Sequence, residues 1–153
     1  VDPGDGVVYR ESNTYAGGRT ARVAVTPWGK VGMTICYDVR FPHLYRACAR
    51  AGAVLLTVPS AFTRPTGDAH WHVLLRARAI ETGAFVLAPA QCGLNAPGRE
   101  TYGHSLIVDP WGRVVADGGS DPGLVVADLD LDAVAEARRR IPSLTQDVAF
   151  ELT

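Results

Sequence analysis

Apolar residues along this chain come in short bursts separated by glycine, proline and aspartate, interleaved with longer stretches at helical spacing. Residues 22–26 and 31–35 are two such bursts, and Pro27-Trp28-Gly29-Lys30 between them predicts a hairpin. Residues 42–51 predict a helix, with Pro42 suited to its first turn and Gly52 to its end. Residues 53–58 and 84–90 are apolar at nearly every position, the pattern of strands covered on both faces. Between them, residues 69–82 predict a longer helix, with Val73, Leu74, Ala77 and Ile80 on one side and Gly83 as its stop. A loop containing Gly, Pro and Asn follows, then strands at 104–109, 113–116 and 123–129, with Asp109-Pro110-Trp111-Gly112 turning between the first two. A last helix covers 132–140, its three closing arginines matched to the negative end of the helix dipole. The first twenty residues, rich in Gly, Asp, Ser and Thr, read as irregular and as the tail of something that precedes them. The sum is an α/β fold, a mixed sheet with helices layered against it.

Composition narrows the function classes. The chain has 153 residues, 47% hydrophobic and 20% charged, enough for one domain with a core and unlike a disordered chain. No repeat or linker divides it, so residues 1–153 read as a single domain. Fifteen basic against sixteen acidic residues leave a net charge of −1, which gives no footprint for nucleic acid or an anionic membrane. The apolar runs are too short to cross a bilayer. The amino terminus carries no signal pattern and no methionine, so either the start is processed or the chain begins partway through a longer protein. Three cysteines, Cys36, Cys48 and Cys92, show no metal spacing and cannot all pair, which fits a reducing compartment and a cytoplasmic location.

The chemistry concentrates in Gly32-Met33-Thr34-Ile35-Cys36-Tyr37-Asp38-Val39-Arg40-Phe41-Pro42. Cys36 ends an apolar strand and precedes a helix by a tight connection, the carboxyl edge of a sheet where open α/β folds bind ligands. Backbone N–H groups at such a junction stabilise a thiolate and can hold the oxyanion of a tetrahedral intermediate. Position alone leaves this reading level with the plain one, a small buried apolar cysteine. Cys48 and Cys92 read as inert. A cysteine nucleophile first suggests a histidine base, yet His43, His70, His72 and His104 show no spacing that singles one out.

The same segment resembles the nucleophile segment of the nitrilase, or carbon–nitrogen hydrolase, superfamily. The likeness continues in Thr57-Val58-Pro59-Ser60-Ala61-Phe62, in Ala69-His70-Trp71, in Leu74 through Thr82, and in Ala90-Gln91-Cys92-Gly93. It runs on through Tyr102-Gly103-His104-Ser105 and Val108-Asp109-Pro110-Trp111-Gly112, and Tyr9-Arg10-Glu11-Ser12-Asn13 is similar to the stretch after that family's lysine segment. The nearest branch resembles the Nit-type amidases, which include enzymes hydrolysing deaminated glutathione and related ω-amides.

The resemblance implies the carboxyl-terminal part of an α-β-β-α sandwich whose amino-terminal part lies upstream of Val1. It implies a Glu–Lys–Cys catalytic set with no metal and no cofactor. Cys36 attacks a small amide to give a thioester and ammonia, and the Tyr37 N–H serves the oxyanion. The glutamate and lysine belong to segments upstream, and neither Lys30 nor Glu11 matches them. Ser60, Ala61 and Phe62 match a pocket-lining segment, and Asp38 and Arg40 match residues that brace the elbow. His43 and His72 stand where the branch usually has glutamates, which puts local ion pairing there in question, and Arg78 and Glu81 read as a local pair. A homo-oligomer is implied too. The alternatives are a catalytically incomplete half-domain acting as a binding or assembly partner, and a redox thiol, which lacks a resolving cysteine.

Overall fold

The computed structural model describes residues 2, 10–96 and 98–153. Six strands form one mixed sheet in the order β1-β2-β3-β4-β7-β8: β1 (Arg22–Thr26), β2 (Gly29–Met33), β3 (Ala53–Thr57), β4 (Phe85–Ala88), β7 (Leu106–Val108) and β8 (Val114–Asp117). The central β2, β3 and β4 run parallel, and the outer pairs are antiparallel. A separate hairpin pairs β5 (Cys92–Ala96) with β6 (Arg99–Tyr102). The helices are α1 (Pro42–Arg50), α2 (His72–Thr82) and α3 (Asp132–Arg140).

Register sets the core. Gly32, Leu56, Val86 and Val108 line up across four strands on one face. The last three are fully buried with Tyr45 and Cys48 of α1 and Leu75 and Ala79 of α2. Gly32 lets strand and helix approach closely: a Cβ there would meet Cys48 Cβ and Leu56 Cδ2 at 2.8 Å each. On the opposite face Leu55, Leu87 and Ile107 are only half-buried and Met33 is 56% exposed. Alternation thus leaves the helix-covered face dry and the other partly open.

Several expectations change. The stretch expected as a Gly/Pro/Asn loop is the β5–β6 hairpin, seated where Gly67 meets the Tyr102 ring so closely that a Cβ would collide with it. No strand forms at 123–129; Leu124 and Val126 are 95% and 82% exposed, and an apolar run without a neighbouring ladder makes no strand. The helix expected at 69–82 is α-helical from His72, preceded by a turn at Arg64–Thr66 and a wide π turn at Gly67–Trp71. Its buried side carries Leu75, Arg78, Ala79 and Thr82, whereas Val73 and Ile80 point outward at 67% and 49% exposure. Helix α2 still ends at Gly83, in the left-handed conformation at φ 55°. The stretch before β1 holds one short 3-10 turn at Glu11–Asn13, and Tyr9 lies outside the described residues.

Candidate active site

Strand β2 delivers the chain to a tight 3-10 helix, Cys36–Arg40, which leads into α1. Cys36 sits at its first position with φ 46°, one of two non-glycine residues with positive φ among the described residues. A side chain in that region is held against a backbone preference, and such strain is characteristic of functional elbows. The Cys36 N–H donates to Pro59 O at 2.9 Å, tying the elbow to the end of β3. Tyr37 follows at the second helical position, where an N–H has no intrahelical acceptor. The Ile35 N–H donates to Asp38 Oδ2 at 2.9 Å, and the Asp38 N–H returns to Ile35 O. Asp38 therefore fastens the turn from inside.

A buried polar relay holds both ends of this turn. Thr34, just before the elbow, donates from Oγ1 to Thr57 O at 2.8 Å and lies 2.5 Å from Tyr45 Oη. Burial pushes the Tyr45 phenol far above its usual range, so it stays neutral. Arg78, 5% exposed, donates from Nε to Val39 O at 2.8 Å and lies over the Tyr45 ring at 5.7 Å. Its Nη1 meets Glu81 Oε2 at 2.9 Å, the local pair expected from spacing. The relay joins residues 34, 39, 45 and 78, which share no period in the sequence. Only packing brings them together.

Cys36 opens onto a cleft of about 1050 Å³ lined by Tyr37, Arg40, Ala61, Phe62, Thr63 and Thr66, and by Arg10, Ser12, Asn13, Thr14, Tyr15 and Arg99. Of the pocket residues expected from sequence, Ala61 and Phe62 line it. Ser60 does not: it is 8% exposed, and its hydroxyl donates to Val58 O. Arg40, expected as a brace, lines the cleft, with its guanidinium 5.5 Å from the Tyr37 ring centroid and 5.3 Å from that of Phe62. His70 Nδ1 stands 3.4 Å from its Nη atoms. Arg10, Thr63, Thr66 and Arg99 were not legible as site residues, because they reach the cleft from separate loops and the β5–β6 hairpin.

The other nucleophile and base candidates are elsewhere. Cys48 is 1% exposed in the core, and burial raises its pKa. Among the described residues no histidine lines the cleft. Lys30 stands at the opposite end of β2 from the elbow, donating to Ala51 O at 2.9 Å. His72 and His104 meet Asp117 from two sides, at 3.1 Å (Nε2 to Oδ2) and 2.9 Å (Nδ1 to Oδ1). His72 thus has a carboxylate partner. Burial pushes the Asp117 carboxyl upward, but the Gly119 N–H and the two imidazoles outweigh it and hold it below the usual carboxylate range.

Residues 2–139 match the family model described as carbon–nitrogen hydrolase. The chain belongs to this family. It is 51% identical over 140 residues to the human deaminated glutathione amidase, covering 92% of this chain and 43% of that protein. The solved NitFhit protein of C. elegans superposes with a TM-score of 0.87 at 44% identity, over 95% of this chain and 35% of that one. The amidase of Nesterenkonia sp. AN1, solved with acrylamide added to its active-site cysteine, aligns at 32% identity and TM-score 0.68, over 84% of this chain and 50% of that one. The chain spans about half the length of the curated relatives it matches, 43% to 55%. The α/β fold with a mixed sheet and layered helices is that of these neighbours.

Proposed function

We propose that this chain carries the nucleophile half of an amidase that cleaves a small ω-amide or deaminated-glutathione-like amide. One observation carries the reading: Cys36, held at positive φ on a strand-to-helix elbow, opens into a cleft shared with Tyr37 and arginines. In the proposed reaction the Cys36 sulfur attacks the amide carbonyl, and the carbon–nitrogen bond breaks as the nitrogen takes up a proton and leaves as ammonia. Water then cleaves the thioester to the acid and restores the thiol. The Tyr37 N–H is the proposed oxyanion donor, with Asp38 as the group that fastens it in place. Ala61 and Phe62 flank the substrate, and Ser60 supports them through its backbone. Arg10, Arg40 and Arg99 line the cleft, which supports an amide that bears a carboxylate of its own. The general base and the lysine are proposed to come from an amino-terminal part of the same domain, and no metal or cofactor enters the reaction.

The half-buried second sheet face supports that arrangement, since Leu55, Leu87, Ile107 and Met33 await a covering layer. The exposed Val73, Ile80 and Trp111 support a homo-oligomer. Among the described residues no helix is long and apolar enough to cross a membrane. The three free cysteines support a reducing compartment, and on that ground we place the protein in the cytoplasm. Ammonia release decides the function. The chain alone should be nearly inactive, since one missing charge-stabilising group commonly costs ~10²–10³ in rate. Joined to a relative's amino-terminal segment carrying the glutamate and lysine, it should turn over short ω-amides. Turnover by the chain alone at a comparable rate would place the catalytic partners within this sequence. A joined protein that folds but releases no ammonia would favour the binding or assembly reading.

A further inference from the structure

His72, His104 and Asp117 bring one donor atom each to within 4.8 Å of one another, outside the residues that line the Cys36 cleft. We propose that they bind a divalent transition ion of the zinc class, a site separate from amide hydrolysis. The donor set is two imidazole nitrogens and a carboxylate, ligands that such ions take. A tetrahedral ion with bonds of about 2.0–2.2 Å holds its ligands roughly 3.3 Å apart. The existing contacts are close to that: His104 Nδ1 lies 2.9 and 3.1 Å from the two Asp117 oxygens, and His72 Nε2 lies 3.1 Å from Oδ2. Small outward shifts of the side chains would admit an ion where the two N–H groups now point.

The ligands arrive from three places in the fold, the first turn of α2, the loop before β7, and the end of β8. That is why the sequence shows no zinc-like spacing. Neighbours hold His104 and Asp117 in place. His104 is at φ 56°, its N–H donates to Gly119 O at 2.7 Å, and its carbonyl accepts from Trp71 Nε1 at 2.8 Å. The Tyr102 ring stacks on its imidazole at 4.5 Å. Asp117 Oδ1 accepts the Gly119 N–H at 2.8 Å, and His72 follows Trp71, which is 1% exposed. The three side chains are 33%, 27% and 33% exposed, so the fourth coordination position faces solvent and would hold water. Bound, the ion would clip α2 to β8 and to the exit of the β5–β6 hairpin.

The test is calorimetric titration of the full chain with Zn²⁺, repeated with Co²⁺ while visible absorption is recorded. The expected result is one ion per chain, cobalt d–d bands without a thiolate charge-transfer band, and a thermal midpoint that rises with added Zn²⁺. His72→Ala and Asp117→Asn should each weaken binding by roughly 10–100-fold or more. His104→Asn, chosen because asparagine tolerates positive φ, should do the same and guards against a misfolded variant. The absence of saturable binding, affinity unchanged in His72→Ala, or a cobalt–thiolate band lost in Cys92→Ser would each overturn the assignment.

Discussion

Removing the Arg78 guanidinium tests whether the buried relay, rather than local sequence, holds the cysteine elbow. In Arg78→Met the Val39 carbonyl, in a residue that is 0% exposed, loses its donor at 2.8 Å. A charge-assisted hydrogen bond of this kind contributes ~1.5–3 kcal/mol. Loss of the guanidinium over the Tyr45 ring adds ~0.5–2 kcal/mol. Glu81, 38% exposed, returns to water at little cost, and relief from burying a charge offsets part of the loss. The net destabilisation is about 2–4 kcal/mol, and at ~2–4 °C per kcal/mol for a chain of this size the thermal midpoint should fall by roughly 5–15 °C. Urea unfolding gives the stability, and the rate of iodoacetamide alkylation at Cys36 reports on the elbow itself. Arg78→Lys keeps the charge without the planar fork and should recover only part of both. A midpoint and a Cys36 alkylation rate both unchanged in Arg78→Met would refute the reasoning.

Iodoacetamide at neutral pH should modify Cys36 before Cys92 and leave Cys48 for last, since Cys48 is 1% exposed with a raised pKa; peptide mass mapping reads the order, and faster labelling of Cys48 contradicts it. Gly32→Ala pushes a methyl against Cys48 and Leu56 at 2.8 Å and should cost ~1–3 kcal/mol, measured by urea unfolding. Asp147 is held below its ordinary range first by the Arg50 hydrogen bond and then by Arg46, on α1. A carboxyl lowered in the folded state stabilises above its unfolded pKa, and this is lost as pH falls through the folded value. Amide exchange at 143–147 should therefore accelerate on acidification from about pH 4 downward, and Asp147→Asn should exchange fast at every pH.

Regular elements with strong patterning were legible: residues 22–26 and 132–140 occupy the expected strand and helix without a shift. What escaped had its cause outside the local sequence. The β5–β6 hairpin is polar, and it holds its place through Thr101, 1% exposed, and the contact of Tyr102 with Gly67. The stretch 123–129 is an apolar run of the kind strands have, but a ladder needs a partner, and an apolar run does not supply one. On α2 the buried side leaves out Val73 and Ile80 and includes Arg78, a charged residue that pattern alone assigns to solvent. At the site, the elbow was readable because strand, cysteine and helix are contiguous, whereas position alone left the role of Cys36 level with that of a plain buried thiol. Arg10 and Arg99, which line the cleft from distant segments, were not readable.

The central claim is that Cys36 forms the acyl bond. It is tested most directly by acid-quenching the chain, joined to a family amino-terminal segment, during turnover of a short ω-amide, and mapping acyl groups by peptide mass spectrometry. The account predicts an acyl group, removable by hydroxylamine, on the peptide that contains Cys36, and neither acyl group nor ammonia from Cys36→Ser. An acyl group on any other residue, or turnover that persists in Cys36→Ser, would contradict it.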